Sequence, residues 1–328
     1  MTLAQPIAKA AGALAEATTV ALACHVNPDA DALGSMLGLS NHLRGLGKQT
    51  VCSFPNEPFE MPRWAAMLPG TDALVPPSRF PKDPPLMVTC DAATLDRLAS
   101  LGAVAVRSKT LIWIDHHVTS DGLGTIRVVD PAASSTCELV WRLVNELGGE
   151  ISIETAMCVY AGLVTDTGRF QYEAVGPATL RLAAELREFP FDHTRLVQAL
   201  YEDRSAASLR LLGVVLERIR LEDDADLVWS YVTRTDLEDA VVPPSESDDL
   251  IDLVRTAREA DVAAVLRQQR DGRFKVSLRS RGAHDVGSVA SVFGGGGHRL
   301  ASGYTSRHGV AETVERLRAA LAGEPIGP

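Results

Sequence analysis

The 328-residue chain is poor in aromatic residues. Phe, Trp and Tyr make up 5% of it, although 46% is hydrophobic. Its cores must be built mostly from Ala, Val and Leu, and it offers no row of rings on which many bases could stack. Positive charge is also short: 32 Lys and Arg against 42 Asp and Glu give a formal net charge of −10. That balance disfavours long-range attraction to a nucleic acid backbone and argues against a long duplex as partner. Cysteines are few and unpaired in pattern. Cys24, Cys52, Cys90, Cys137 and Cys158 are odd in number and contain no C-x-x-C, so neither a disulfide framework nor a thiolate metal ribbon is expected, and a reducing cytoplasm fits best. No apolar run reaches about 18 residues, so no membrane span is expected. The Ala10–Ala17 run, preceded only by Lys9 and broken by Glu16, reads as an amphipathic helix and not as a leader.

What is present is alternation. Thr19–Cys24, Thr50–Phe54, Leu86–Cys90 and Thr110–Ile114 read as strands, and the last two are apolar throughout, as in strands buried on both faces. Helical patterns cover about Ala32–Leu46, ended by Gly47, then Ser135–Leu147 and Ile153–Leu163. Strand–helix alternation predicts an α/β fold with a parallel sheet flanked by helices, where ligands bind at the carboxyl ends of the strands. Residues 177–218 read as helical. A second β-rich block begins near Leu221, with strands at Leu227–Val232, Val262–Arg267 and Phe274–Leu278, a hairpin at Asp271-Gly272, a loop at Pro243-Pro244-Ser245 and a closing helix at Val310–Ala322. The expected organisation is a catalytic domain over 1–188, a helical connector over 189–220 and a smaller α/β domain with a mixed sheet over 221–328.

Three of the strands run into acidic or histidine residues. The first leads to His25-Val-Asn-Pro-Asp29-Ala-Asp31, the second to Asp91, and the third to Asp115-His116-His117; Asp166 follows the helix ending near Leu163. Each alone has an ordinary reading as a cap or turn residue; Asp31, for example, could cap the helix that follows it. On one edge of a parallel sheet they would converge, and uncompensated carboxylates there would resist ionisation. Asp29, Asp31, Asp91 and Asp166 together match the charge of two divalent cations, and His25 and His116 add nitrogen donors. Carboxylate with imidazole suits Mn²⁺, with Mg²⁺ or Co²⁺ as alternatives, better than Ca²⁺ or structural Zn²⁺. In the C-terminal part, residues 258–308 hold nine Lys or Arg against four Asp or Glu. Gly294-Gly295-Gly296-Gly297-His298-Arg299 lies there, a run whose backbone N–H groups can approach an anion closely.

These segments resemble the four motifs of the DHH superfamily of phosphoesterases, and the tetraglycine-His run resembles the signature of the DHH-associated C-terminal domain, in the branch of bifunctional oligoribonucleases and phosphoadenosine-phosphate phosphatases (nano-RNases). The resemblance covers nearly the whole chain. It implies that His25, Asp29 and Asp91 hold one cation, and that Asp31, Asp91, His116 and Asp166 hold the other, with Asp91 shared. It further implies that Asp115 orients a ligand or water and that His117 faces the substrate phosphate. Arg279, Ser280, Gly295, Gly296, Gly297, His298 and Arg299 would hold the substrate. The implied substrates are short RNA and linear dinucleotides such as pApA, cut to 5′-nucleotides, and 3′-phosphoadenosine 5′-phosphate. A manganese inorganic pyrophosphatase and a non-catalytic nucleotide sensor are the alternatives. The sequence leaves a homodimer open.

Overall fold

The computed structural model describes residues 3–120, 123–242, 247 and 250–324. The loop expected at Pro243-Pro244-Ser245 lies outside the described residues. The chain divides into two compact units, Met1–Asp203 and Arg204–Pro328.

In the first unit, helix α1 (Ala4–Glu16) is followed by β1 (Thr19–Cys24), α2 (Ala30–Gly45), β2 (Gln49–Ser53) and β3 (Leu86–Cys90). Then come α3 (Gly102–Arg107), β4 (Thr110–Asp115), β5 (Ile126–Val129), α4 (Thr136–Leu147), α5 (Ile153–Asp166), α6 (Pro177–Leu186) and α7 (His193–Tyr201). The strands pair parallel in the order β2-β1-β3-β4-β5. Alternate residues supply two cores: Val20, Leu22, Val88, Ile112 and Ile114 pack with α2, α4 and α5, while Ala21, Ala23, Met87, Leu111 and Trp113 face the other way. With both faces covered, the strands lose the polar alternation of a half-exposed sheet and read as apolar runs. Strand β5 escapes such a reading because only Val128 of its four residues is buried. Strand order reverses at β1, which has β2 on one side and β3 on the other. The crevice at such a reversal is where doubly wound sheets bind ligands, and the chain leaving β1 and β3 there begins with His25 and Asp91.

The second unit contains α8 (Ala206–Glu217), β6 (Arg220–Glu222), β7 (Leu227–Val232), α9 (Arg234–Ala240), α10 (Ile251–Val254) and β8 (Val262–Gln268). It continues with β9 (Phe274–Ser280), α11 (Val286–Val292), β10 (Gly296–His298), β11 (Ala301–Ser306) and α12 (Val310–Leu321). Its sheet, ordered β10-β11-β9-β8-β7-β6, is mixed, as expected: β7 and β8 are parallel and the other pairs antiparallel. The expected hairpin joins β8 to β9, closed by the Gln269 amide donating to the Arg273 carbonyl at 2.7 Å. The segment 189–220 is shared between the units: α7 buries Leu196 in the first, and α8 buries Leu211, Leu212 and Val215 in the second. Among the described residues, no helix is long and apolar enough to cross a membrane.

Candidate metal centre and substrate strand

The first unit assembles its polar cluster from strand and helix ends. Asp29 is the N-cap of α2, its Oδ1 accepting from the Ala32 amide at 3.0 Å. The cap that the sequence offered to Asp31 thus goes to Asp29. Asp31, in the first turn of α2, is released to a different helix: its Oδ2 accepts from the Thr136 amide at 2.7 Å and its Oδ1 from Cys137 at 2.9 Å. Those are the first N–H groups of α4, the positive end of its dipole, so a buried carboxylate is stabilised there. Asp166 is the last residue of α5.

Asp91 lies at the middle, 3% exposed and with φ of +58°, a left-handed backbone at the end of β3. Its carboxylate is 3.4 Å from His25 Nε2, 3.8 Å from His116 Nε2 and 3.6 Å from His117 Nδ1. His25 Nε2 is also 3.9 Å from Asp29, and His116 Nε2 is 3.3 Å from Asp166 and 3.9 Å from Asp31. The donor atoms form clusters of His25, Asp29 and Asp91, of Asp31, Asp91 and His116, and of Asp91, Asp115 and His117. Asp91 belongs to all three.

This donor set fits divalent cations. His116 Nδ1 is 3.2 Å from the Ala133 carbonyl, so with the proton there Nε2 turns a lone pair toward three carboxylates. His25 Nδ1 is 2.8 Å from the Val26 carbonyl and 3.0 Å from Arg97 Nη2, partners that call for opposite tautomers; the one bonded to Val26 frees Nε2. Asp115 Oδ1 accepts from His117 Nδ1 at 2.7 Å, which fixes that ring, while Asp115 Oδ2 is buried with no hydrogen-bond partner. Without cations the cluster is frustrated. Burial, then the Asp91 charge, pushes the Asp31 carboxyl up to about 7, and burial, then Asp31 and Asp91, pushes Asp166 well up. Burial opposes charge on His117 and His116, but hydrogen bonds and carboxylates outweigh it and hold both above the ordinary imidazole range.

These shifts fix a pH dependence. A group whose pKa is raised on folding adds stability below its unfolded value and loses that contribution as pH rises through its folded value. Between pH 5.5 and 8, Asp31, Asp166, His25, His116 and His117 all act in this direction. Metal-free protein should therefore melt at a lower temperature at pH 8 than at pH 5.5, and added Mn²⁺ should raise the melting temperature more at pH 8. Equal metal stabilisation at both values would refute the assignment.

Some contributors carry no sequence signal of their own. Thr136 Oγ donates to Asp91 Oδ1 at 2.8 Å, at a separation of 45 residues. The only local hint is the Ser135-x-x-Glu138 capping pattern, with Ser135 Oγ accepting from the Glu138 amide. Gly162 on α5 faces Asp31 so closely that a Cβ would lie 2.8 Å from Asp31 Cα and from its Oδ1.

In the second unit, the predicted substrate residues are separated by the sheet. His298 on β10 and Arg279 on β9 both pair with Ala301 of β11, so the two side chains share one face. Ser280, next along β9, must point to the other face. There it is buried, and its hydroxyl donates to Asp261 at 2.8 Å. Arg299 donates from Nη2 to the Gly282 carbonyl at 2.6 Å. The glycine run has packing reasons too. A Cβ on Gly295 would overlap the Gly303 carbonyl oxygen, and one on Gly297, where φ is +142°, would lie 2.6 Å from the Ala301 carbonyl oxygen, whereas Gly296 faces open space.

Residues 19–163 match the DHH family N-terminal domain, and residues 226–323 match the DHHA1 domain. The chain belongs to the DHH family of phosphoesterases. Among curated DHH proteins it is 35% identical to the bifunctional oligoribonuclease and PAP phosphatase NrnA of Thermus thermophilus, over 87% of this chain and 83% of that one. It is 29% identical to the protein of the same name from Bacillus subtilis, over 87% and 88%. An exopolyphosphatase-related protein from Bacteroides fragilis superposes with a TM-score of 0.88 at 27% identity, covering 98% of this chain and 96% of that one. RecJ of Thermus thermophilus shares the fold, with a TM-score of 0.58 at 17% identity over 98% of this chain and 55% of that one. As a DHH phosphoesterase with this acidic and histidine cluster, the chain is dependent on divalent metal.

Proposed function

We propose that this protein hydrolyses short oligoribonucleotides and linear dinucleotides such as pApA to 5′-nucleotides, and 3′-phosphoadenosine 5′-phosphate to AMP, in the cytoplasm and with Mn²⁺ as cofactor. The observation that carries the reading is the convergence of four carboxylates and two imidazole Nε2 atoms around Asp91. The names of its DHH relatives favour it over pyrophosphate hydrolysis or nucleotide sensing, and five buried free thiols suit a reducing compartment. His25, Asp29 and Asp91 would hold one ion, and Asp31, Asp91, His116 and Asp166 the other. When bound, such a pair supplies an activated water and neutralises charge on the phosphoryl oxygens. The chain does the positioning. Asp91 and Asp31 are held by Thr136 and the start of α4. Asp115 fixes His117 through Nδ1, and when the ring is protonated its other nitrogen can donate to a phosphoryl oxygen as charge builds there. In the second unit, His298 and Arg279 hold the terminal phosphate of the substrate.

Substitution of His298 by Ala should impair recognition more than chemistry. Charge-assisted contacts to phosphate contribute roughly 1.5–3 kcal/mol, so kcat/KM on pApA should fall about tenfold to a hundredfold. Turnover of a small bis-aryl phosphodiester should hardly change, and equal losses on both substrates would place His298 in the metal chemistry.

Length preference tests the reading as a whole. Residues 258–308 carry a net +5, which leaves −15 on the rest of the chain, and aromatic residues are scarce. A long strand would gain little by counterion release or stacking outside the basic segment. On a ladder of 5′-phosphorylated RNAs from two to about twenty-four nucleotides, the shortest should be degraded fastest per enzyme at fixed salt. Equal rates on the longest would overturn the preference, and no release of mononucleotide from any of them would overturn the activity.

A further inference from the structure

The second unit contains a cavity that this activity does not use. Its volume is about 350 Å³, and its walls include Arg273 at the entry to β9, Phe293 after α11, Tyr304, Arg307 and His308 from β11 and the turn beyond it, and Arg316 on α12. It is remote from the His298–Arg279 face. Tyr304 is three residues from Ala301 and so projects from the opposite side of the sheet. The register that pairs Arg279 with Ala301 pairs Phe274 with Ser306, five residues away, or about 17 Å along the strands.

No Asp or Glu lines this cavity, although the chain as a whole is at −10. Two of its side chains are held in place by carboxylates that are not part of the lining: Arg273 Nη2 is 2.6 Å from Asp271, and His308 Nδ1 is 2.6 Å from Glu312. Arg307 is exposed. Tyr304 is only 6% exposed, and its hydroxyl is buried with no hydrogen-bond partner among the described residues. The Tyr304 ring is stacked on Phe293 at 4.3 Å with an 18° tilt, and Phe293 is only half-buried, which leaves aromatic surface beside the arginines.

Arginines and a ring surface in a wall without carboxylates together describe a phosphate ester with an aromatic body. Small-molecule sites run from roughly 300 to 1,000 Å³, so this one has room for a mononucleotide and not for an oligonucleotide. We propose that the cavity is a second nucleotide site, distinct from the substrate strand, that takes a nucleoside monophosphate: the phosphate between Arg307 and Arg316, the base against Phe293. The claim does not depend on the proposed hydrolysis, although that reaction would release this class of molecule.

Calorimetric titration of AMP into the full chain carrying His298→Ala, which weakens the other anion-binding face, tests the proposal. We expect one site, lost by at least tenfold in affinity when Arg307→Ala and Arg316→Ala are added; inorganic phosphate should bind the same site more weakly, and adenosine should not bind. In the otherwise unaltered chain, Arg307→Ala with Arg316→Ala should leave kcat/KM on pApA unchanged, which also verifies folding. AMP affinity indifferent to Arg307 and Arg316, or phosphate binding as tightly as AMP, would overturn the proposal. So would a parallel loss of pApA hydrolysis in the arginine variant. A chain that hydrolyses no pApA at all would refute the activity and leave the AMP titration to be read by itself.

Discussion

Asp91→Asn should abolish hydrolysis of pApA and leave the protein folded. Asp91 is common to the three donor clusters built wholly within the first unit, so the loss of one negative charge leaves each of them short of a ligand. Changing a partner that only supports a metal ligand costs roughly 10–100-fold in affinity or activity, and a directly shared carboxylate should cost more. The fold should tolerate the change for two reasons. Asn is one of the few residues at ease with positive φ, and the Asp91 backbone sits at +58°. Its side-chain oxygen can still accept the Thr136 hydroxyl, which bonds Asp91 at 2.8 Å. The measurements are turnover with Mn²⁺, metal content after dialysis and the melting temperature. A variant that retains bound metal and more than about a tenth of wild-type turnover, less than the roughly tenfold loss expected even for a supporting partner, would show that Asp91 is not shared.

Gly162→Ala is expected to damage both stability and activity, though it changes no polar atom. The added carbon would overlap Cys137 Sγ and lie 2.8 Å from Asp31 Cα and from its Oδ1. Overpacking of a closed interface costs about 1–3 kcal/mol, and here the displaced group is a proposed metal ligand. We expect a lower melting temperature and at least a tenfold loss of turnover, since misplacement by about 1 Å can cost about a hundredfold. Adding Cys137→Ala should relieve the sulfur clash and recover part of the stability, but not the activity, because the contact with Asp31 remains. Gly12→Ala in α1, with nothing within 4 Å of its Cβ, is the control and should be neutral or slightly stabilising. Recovery of full activity in the Gly162→Ala, Cys137→Ala double variant would disprove the role given to Asp31.

Residues that act through charge at the end of an apolar run were legible in the sequence, because burial on both sheet faces gives strands such as Leu86–Cys90 an unmistakable composition and Asp91 then stands out. Thr136 and Gly162 were not. One contributes a hydroxyl across 45 residues, the other the absence of a side chain against a helix that is distant in sequence. The second unit was read less completely for a related reason. Its β10 is formed by Gly296, Gly297 and His298, which offer no hydrophobic period, and α11 spans only seven residues, so its apolar end resembled a bare lead-in to the glycines. The resemblance implies Ser280 beside Arg279 at the substrate, and strand pleating sends the two to opposite faces.

The proposed cation donors are scattered from His25 to Asp166, and this sets a timetable for synthesis. In small zinc domains, ligands a few residues apart allow the ion to organise the chain, so that removing it unfolds them. Here the set of Asp31, Asp91, His116 and Asp166 is incomplete until α5 has been made and has docked against α2, by which time the apolar cores on both sheet faces are in place. The cation pair would then be a late tenant of a finished structure. A cell starved of the ion would then accumulate folded, idle protein, ready to work as soon as the supply returned.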